Sequence, residues 1–240
     1  VLYGASPIAD DTILKAKEIM KCDLFQVYGL TETAGAITIL MPEDHDPEKG
    51  KLRSCGKALN SVEIKVVDDE GNEVKTGDIG EVISKSPLNM KGYWNRPDAT
   101  EEAIKDGWFY SGDAGFFDDE GYLYIHDRVK DMIVSGGENI YPAEVENALM
   151  SHPEIADAAV IGVPDDKWGE SVKGFVVLQP DSSLDETEII SYSRTQIAGY
   201  KCPKTINFIE ALPRNPSGKI LRRELREPFW EGKDRMVSGN

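Results

Sequence analysis

The sequence has few of the residues from which common catalytic centres are built. Its 240 residues include three cysteines and three histidines. They are widely separated along the chain: Cys22, Cys55, Cys202, His45, His126 and His152. Neither a disulfide framework nor a zinc site fits so scattered a set, and isolated histidines argue against a histidine-based triad. Free thiols are typical of a reducing compartment, so we expect a cytoplasmic protein, with peripheral membrane association left open.

Several longer patterns are missing as well. The sequence contains no GxSxG, no Walker-type GxxxxGKS/T, no GxGxxG and no HExxH motif. The common signatures of serine hydrolases, P-loop nucleotidases, dinucleotide-binding folds and zinc peptidases are therefore absent. No apolar run reaches the roughly 18 residues that a membrane-spanning helix needs, so no transmembrane segment is expected.

Positive charge is also scarce. Lysine and arginine total 27 against 43 acidic residues, which gives a formal net charge of -16. Such a field repels phosphate backbones and argues against a nucleic-acid partner. A small nucleotide responds instead to local groups, and basic residues do cluster between Lys219 and Arg226.

The first half of the chain combines a helix–strand–loop segment with later strands and glycine turns. Thr12 is placed to cap a helix, and a short buried strand is expected from Leu24 to Val27, before a polar loop. Such loops bind ligands in open α/β sheets. The sequence DDEG occurs at 68–71 and again at 118–121, where it predicts hairpin turns.

The second half shows a different order of elements. A helix is predicted to open at Pro142, and another to be capped by Asp185 with Glu188 three residues later. A last basic helix is expected to start near Ser217. About a hundred residues of this kind make a plausible α+β domain, and we place its boundary at the charged DRVK segment.

Six motifs occur in a fixed order along the chain. They are GASPI from Gly4, VYGLTETAG from Val27, GYWNRPDAT from Gly92, GWFYSGDAGFFDDEGYLYIHDRVKDMIVSGGENIYPAEVE from Gly107, GYKCPKTINFI from Gly199, and LPRNPSGKILRREL from Leu212. Together they resemble the adenylate-forming superfamily of acyl-CoA synthetases, coumarate-CoA ligases, luciferases and peptide-synthetase adenylation domains.

The resemblance implies a fold for each half. Residues 1–126 would be the C-terminal end of the large AMP-binding domain, comprising an α/β layer and a distorted β-barrel subdomain. Residues 127–240 would be the small, mobile α+β lid domain, with a hinge at 127–130. The family's phosphate-binding loop has no counterpart here, so the chain is expected to be a fragment that is inactive alone.

The resemblance also implies an activity. An ATP-dependent acyl-CoA synthetase joins a carboxylic acid to CoA through an acyl-adenylate, using Mg²⁺ and releasing AMP and diphosphate. The closing REPFWEGKDR resembles bacterial fatty-acyl-CoA synthetases, which favours a fatty acid. Two alternatives stay open: a stand-alone adenylation enzyme that loads a carrier protein, and a non-catalytic binding module derived from the lid.

Residue roles follow from the same resemblance. In the first half, Glu32 corresponds to the magnesium-binding glutamate, Thr31 to a phosphate donor and Asp113 to the acceptor of the ribose hydroxyls. The residues expected beside the adenine are Gly4, Ala5, Ser6, Pro7, Tyr28 and Gly29. Read without the family, the loop around Glu32 would be a helix cap and Asp113 a turn residue.

In the second half, Arg128 would donate to the ribose, and Lys130 matches the hinge position. Gly136 and Gly137 match a loop that closes on the thiol channel, although a tight turn would also require glycines. A lysine that precedes this loop in coumarate ligases is replaced here by Val134, so no role is inferred from it.

Lys219 matches the catalytic lysine that contacts the α-phosphate. An independent argument comes from the expected helix at Ser217, in whose first turn a cation is disfavoured by ~0.3–1 kcal/mol. A lysine kept there suggests an anionic ligand, whereas the alternative is a solvated lysine in a basic helix. The surrounding PRNPSGK also resembles sites modified by lysine acetyltransferases, which predicts such an enzyme as a partner.

Overall fold

A computed structural model describes residues 1–5, 8, 10–216 and 218–232. The chain divides into two compact units, Val1–Ile125 and His126–Asn240, next to the boundary expected from the sequence. The helices of the described residues are α1 (Asp10–Met20), α2 (Pro97–Ala103), α3 (Pro142–Met150), α4 (Glu186–Gln196) and α5 (Arg222–Trp230). Within this part of the chain, none is long and apolar enough to cross a membrane. The expected mixture of α/β and α+β structure is confirmed.

The first unit contains two sheets. The first has the strand order β1-β2-β3-β4, with strands Leu2–Gly4, Phe25–Leu30, Gly35–Leu40 and Lys57–Ala58. The second has the order β5-β6-β8-β7 with β9 paired to β8, and its strands are Glu63–Val67, Gly80–Lys85, Ile104–Lys105, Trp108–Phe117 and Leu123–Arg128 for β5 to β9. Strands β1 and β2 pair in parallel, whereas β2–β3, β3–β4, β5–β6, β6–β8 and β7–β8 are antiparallel pairs.

Backbone hydrogen bonds fasten the two sheets of the first unit to each other. The Cys55 N–H donates to the carbonyl of Leu123 over 2.6 Å, and the Leu123 N–H donates to that of Gly56 over 2.9 Å. Leu123 and Cys55 also share an apolar cluster with Val66 and Val82. These bonds fix the segment between β3 and β4 against β9. They also hold the ends of β2 and β8 near the same apolar cluster.

The second unit is built on one sheet. Its strands are β10 (Ile133–Ser135), β11 (Glu138–Ile140), β12 (Ile155–Asp165), β13 (Gly169–Leu178) and β14 (Thr205–Phe208), in the order β11-β10-β13-β12 with β14 beside β13. The apolar run in β12 is continuous because both faces are covered. Ala158 and Val160 pack with residues of α3 and α4, whereas Ala159 and Ile161 pack with α5.

Helix starts agree with the sequence where a side chain caps them locally. Asp185 and Glu188 form a reciprocal capping box at α4, and Pro142 occupies the first turn of α3, so both predictions are confirmed. The first helix begins at Asp10, earlier than the expected cap at Thr12.

The expected start of the last helix near Ser217 is wrong, and Ser217 itself lies outside the described residues. Helix α5 begins at Arg222. Before it, the Gly218 N–H donates to the Asn215 carbonyl over 2.9 Å, and Gly218 has a left-handed φ of 85°. This turn prevents helical backbone there. Lys219 therefore precedes the helix, and the argument from the helix dipole does not apply to it.

Buried ion pairs join α5 to α3 and to the expected hinge. Arg222 contacts Glu146 with both Nη2 (2.7 Å to Oε2) and Nε (3.2 Å to Oε1). Its Nη1 lies 3.9 Å from Asp127 Oδ1, and Asp127 Oδ2 accepts from the Ala143 N–H in α3. One turn later, Arg226 Nη2 lies 3.0 Å from Asp131 Oδ1. The 127–131 segment is thus held at both ends by one helix.

We predict that Arg222→Ala destabilises the second unit by about 3–5 kcal/mol, because it leaves buried carboxylates without their cation. Burial raises the pKa of Glu146 and Asp127, although Arg222 opposes the shift. Without Arg222 these pKa values rise further. The loss should thus be largest where the carboxylates are ionised and shrink as the pH falls.

The measurement is unfolding in increasing urea, monitored by hydrogen exchange in peptides of the second unit. The matched control is Arg223→Ala, because Arg223 is 88% exposed and lies 3.8 Å from Glu227. Equal urea midpoints for the two variants would show that the buried pairs contribute nothing.

Candidate functional site

A tyrosine and an aspartate from distant parts of the sequence meet in the first unit. The Tyr28 hydroxyl, on β2, donates to Asp113 Oδ2, on β8, over 2.6 Å. Burial and the neighbouring Asp113 raise the pKa of Tyr28, which keeps its hydroxyl protonated as a donor. An ionised carboxylate accepts several hydrogen bonds, so Asp113 has capacity for further donors such as a pair of ligand hydroxyls.

The backbone around Asp113 is fixed by neighbouring polar groups. The Ser111 hydroxyl donates to the Val82 carbonyl over 2.6 Å and accepts from the Asp113 N–H over 3.0 Å. The Gly112 N–H donates to Glu81 Oε1 over 2.8 Å. Sequence reasoning missed Glu81. Its one signal was a carboxylate placed directly before the apolar residues of a strand.

The loop after β2 is shaped by close backbone contacts. A Cβ on Gly29 would lie 1.9 Å from the Gly35 carbonyl oxygen, so a side chain cannot fit there. The chain then forms a 3-10 turn over Thr31–Thr33. Thr33 is buried, and its hydroxyl oxygen lies within hydrogen-bond distance of the carbonyls of Leu30 and Gly35, at 2.9 and 2.7 Å. This arrangement leaves Thr31 exposed at the end of the strand.

Glu32 has two partners that sequence reasoning did not foresee. The Tyr93 hydroxyl donates to Glu32 Oε1 over 2.9 Å, and the Met90 N–H donates to the Glu32 carbonyl over 2.6 Å. Among the described residues, no three histidine, cysteine or acidic side chains come together as a metal site. Mg²⁺ commonly takes only one or two protein carboxylates beside substrate phosphates. A lone carboxylate such as Glu32 is compatible with that pattern, and its role as the magnesium ligand stays a prediction.

The GASPI segment is described only in part. Gly4 ends β1, where a Cβ would lie 2.2 Å from the Val27 carbonyl oxygen, and Ala5 has a left-handed φ of 69°. Ser6 and Pro7, also expected beside the adenine, lie outside the described residues.

In the second unit, Gly136 and Gly137 form the two-residue turn between β10 and β11. Their φ angles are 63° and 87°, which suits the mirror-image turns of tight hairpins. The Gly136 N–H donates to the Trp168 carbonyl over 2.8 Å, and a Cβ on Gly136 would lie 2.7 Å from the indole. The turn alone therefore accounts for both glycines, and their role at a thiol channel stays a prediction.

Lys219 is exposed, and hydrogen bonds to Asn215 hold its backbone. Its N–H donates to Asn215 Oδ1 and its carbonyl accepts from the Asn215 N–H, each over 2.9 Å. Arg214 braces the same turn through Nη1 to the Gly218 carbonyl at 2.6 Å and Nη2 to Asp157 at 2.7 Å. These bonds hold the backbone of Lys219, and its role at the α-phosphate stays a prediction.

The remaining predicted residues lie at the start of the second unit. Arg128 is the last residue of β9, and its N–H donates to Asp127 Oδ1 over 2.8 Å. Lys130 is exposed in a 3-10 turn over Val129–Asp131, and its carbonyl lies 3.5 Å from Arg226 Nη1. The roles of Arg128 and Lys130 at the ribose and the hinge remain predictions.

Two family models match the chain. The model described as "AMP-binding enzyme" matches residues 1–94, and the model described as "AMP-binding enzyme C-terminal domain" matches residues 144–219. Tyr28 lies in the first match and Lys219 ends the second, whereas Asp113 lies between the two.

Curated relatives and solved structures agree with these matches. A fatty acid–[acyl-carrier-protein] ligase of Streptomyces coeruleorubidus is 44% identical over 99% of this chain and 46% of its own length. A long-chain-fatty-acid–CoA ligase of Mycobacterium tuberculosis is 44% identical over 95% of this chain and 44% of its own. The chain thus spans about half the length of the relatives it matches.

Among solved structures, o-succinylbenzoate CoA synthetase of Bacillus subtilis, in complex with its acyl-adenylate intermediate, aligns with a TM-score of 0.85 and 42% identity. The alignment covers 93% of this chain and 45% of the synthetase chain. ATP-bound MatB of Rhodopseudomonas palustris aligns with a TM-score of 0.87 and 34% identity, over 97% and 46% of the two chains.

We predict that Tyr28→Phe destabilises the first unit by about 1.5–3 kcal/mol, the usual contribution of a hydrogen bond to a charged group. Hydrogen exchange of peptides from β2 and β8 under increasing urea measures the change. Tyr124→Phe is the matched control, because its hydroxyl makes a longer contact of 3.3 Å with Asp118, so its loss should matter less. Equal effects of the two substitutions would contradict a special Tyr28–Asp113 contact.

Proposed function

Since this chain belongs to the AMP-binding enzyme family, we propose that the protein containing it is an AMP-forming acid–thiol ligase. Its substrates would be a carboxylic acid, ATP with Mg²⁺, and a thiol. The proposal concerns the whole protein, because the chain spans about half the length of its relatives.

The observation that carries the proposal is the pairing of Tyr28 with Asp113. Their 2.6 Å hydrogen bond puts an aromatic ring and a fixed carboxylate side by side in the first unit. An aromatic face packs against adenine, and a carboxylate accepts from the ribose hydroxyls. Thr31 and Glu32, in the turn directly after the strand of Tyr28, would hold a phosphate oxygen and Mg²⁺. Gly4, Ala5 and Gly29 would line the adenine.

The reaction needs two displacements. A carboxylate oxygen attacks the α-phosphorus of ATP, and the bond to diphosphate breaks, which leaves an acyl-adenylate. A thiolate sulfur then attacks the acyl carbon, and AMP departs with the carboxyl oxygen. Charge develops at the α-phosphate in the first step, and a fixed cation there is the chief contribution that protein can make. We assign this role to Lys219.

The two units would have distinct tasks. Residues 1–126 would bind the nucleotide as the end of the large domain, and residues 127–240 would act as a mobile lid. Lys130 would be its hinge, Arg128 would donate to the ribose, and Gly136 with Gly137 would face the thiol. The lid would present Lys219 only during adenylation.

The acyl acceptor is CoA or the phosphopantetheine thiol of a carrier protein. Relatives of equal identity are named for each, and both of these act on fatty acids. We favour CoA and a fatty acid. The carrier-protein alternative predicts thioester formation with a carrier protein that bears a free phosphopantetheine thiol, and none with CoA.

We predict that Lys219→Ala in the complete protein slows acyl-adenylate formation by about 10²–10³-fold, the usual effect of losing one electrostatic stabiliser. With preformed acyl-adenylate and thiol, the same variant should form thioester at nearly the parental rate. Single-turnover assays measure each step. Lys204→Ala, which removes another exposed lysine of the unit, is the control and should leave both rates unchanged.

Acetylation of Lys219 by a lysine acetyltransferase would remove the same charge, so acetylated protein should behave like Lys219→Ala in this assay. Equal slowing of both steps by Lys219→Ala would contradict the assignment.

A further inference from the structure

We propose that Glu81 is a positioning residue for Asp113 and thereby sets how strongly the site prefers a ribonucleotide over one without ribose hydroxyls. The inference rests on the proposed function, which gives Asp113 the ribose as its ligand. Glu81 would touch no substrate. It acts through the backbone of the neighbouring strand.

The strand pairing around Glu81 is irregular. Strands β6 and β8 pair at Glu81 with Ala114 and again at Ile83 with Tyr110. Between these two pairs lies one residue of β6 (82) but three residues of β8 (111–113). Strand β8 therefore carries extra residues, which bulge from the ladder. The bulge contains Asp113. Bulges of this kind re-aim side chains and leave backbone groups without strand partners.

Glu81 supplies the partner that the bulge lacks. Its Oε1 accepts from the Gly112 N–H over 2.8 Å, and Gly112 has a left-handed φ of 69°. The hydroxyl of Ser111, the residue before Gly112, donates to the Val82 carbonyl. Glu81 and Ser111 together fix the bulge and hold the Asp113 carboxylate at the Tyr28 hydroxyl. Without the Glu81 acceptor, Asp113 remains a carboxylate but is no longer held at the Tyr28 hydroxyl.

An acceptor oxygen is what this role requires. Burial raises the pKa of Glu81, whereas the hydrogen bond from the Gly112 N–H acts in the opposite direction. A protonated carboxyl group still offers its carbonyl oxygen to Gly112, as does the amide of glutamine. Glutamine in place of Glu81 should therefore keep the hydrogen bond to the Gly112 N–H, whereas alanine should lose it. Aspartate is one methylene too short to reach the same N–H.

The test compares AMP with 2′,3′-dideoxy-AMP by isothermal titration calorimetry on the complete protein. The parent should bind AMP about 10–100-fold more tightly, the ratio expected for hydrogen bonds to a charged group. In Glu81→Ala this ratio should fall to within about 3-fold because AMP binding weakens, while dideoxy-AMP affinity stays unchanged. Glu81→Gln should keep the parental ratio. Glu63→Ala removes an exposed carboxylate on β5 of the same sheet and should also keep it.

The outcomes separate this inference from the function beneath it. A parental ratio in Glu81→Ala, or equal weakening of both nucleotides, would overturn the positioning role alone. A parent that does not prefer AMP would overturn the ribose role of Asp113, and the inference with it. If Glu81→Ala does not fold, Glu81→Asp carries the test and should show the same loss of preference.

Discussion

Both units bury carboxylates, and a buried carboxylate is stable only where donors or cations compensate for lost water. In the first unit Asp113 is only 6% exposed and accepts from the Tyr28 hydroxyl. In the second, Glu146 and Asp127 surround Arg222. Each group obliges elements far apart in sequence to meet. The positions of β2, β8, α3 and α5 within their own units follow from these requirements together with the apolar cores.

The same constraint connects structure to the proposed chemistry. A carboxylate held by a protonated tyrosine keeps one orientation, which is what recognition of a ligand's hydroxyls requires. Lys219 follows the complementary rule, because its backbone is fixed by Asn215 and Arg214 while its ammonium group stays in solvent.

Local features were predictable from the sequence because their causes are local. The Asp185 and Glu188 pair specifies its own helix start, and Pro142 does the same for α3. The DDEG turn at 118–121 connects β8 with β9 as expected. The last helix was placed too early because the basic run near Lys219 looked helical, whereas Asn215 and Gly218 favour a turn.

Contacts between distant segments could not be predicted in the same way. Tyr28 and Asp113 are 85 positions apart, and no periodicity links them. The motif resemblance indicated both residues and gave no hint of their hydrogen bond. Glu81 was invisible for a further reason: its role depends on a bulge, which is a property of strand pairing rather than of either strand. The Arg222 pairs were not predicted, because the sequence pattern of the last helix was that of a solvated basic helix.

The most direct test of the account is carboxylic-acid-dependent exchange of radiolabelled diphosphate into ATP by the complete protein. The account predicts exchange only when acid and Mg²⁺ are present. It also predicts that Asp113→Ala reduces exchange by at least about 10-fold through weaker nucleotide binding, since one hydrogen bond to a charged group contributes that much. Full exchange by Asp113→Ala, or exchange that does not depend on acid, would contradict the claim that this chain forms an adenylation site.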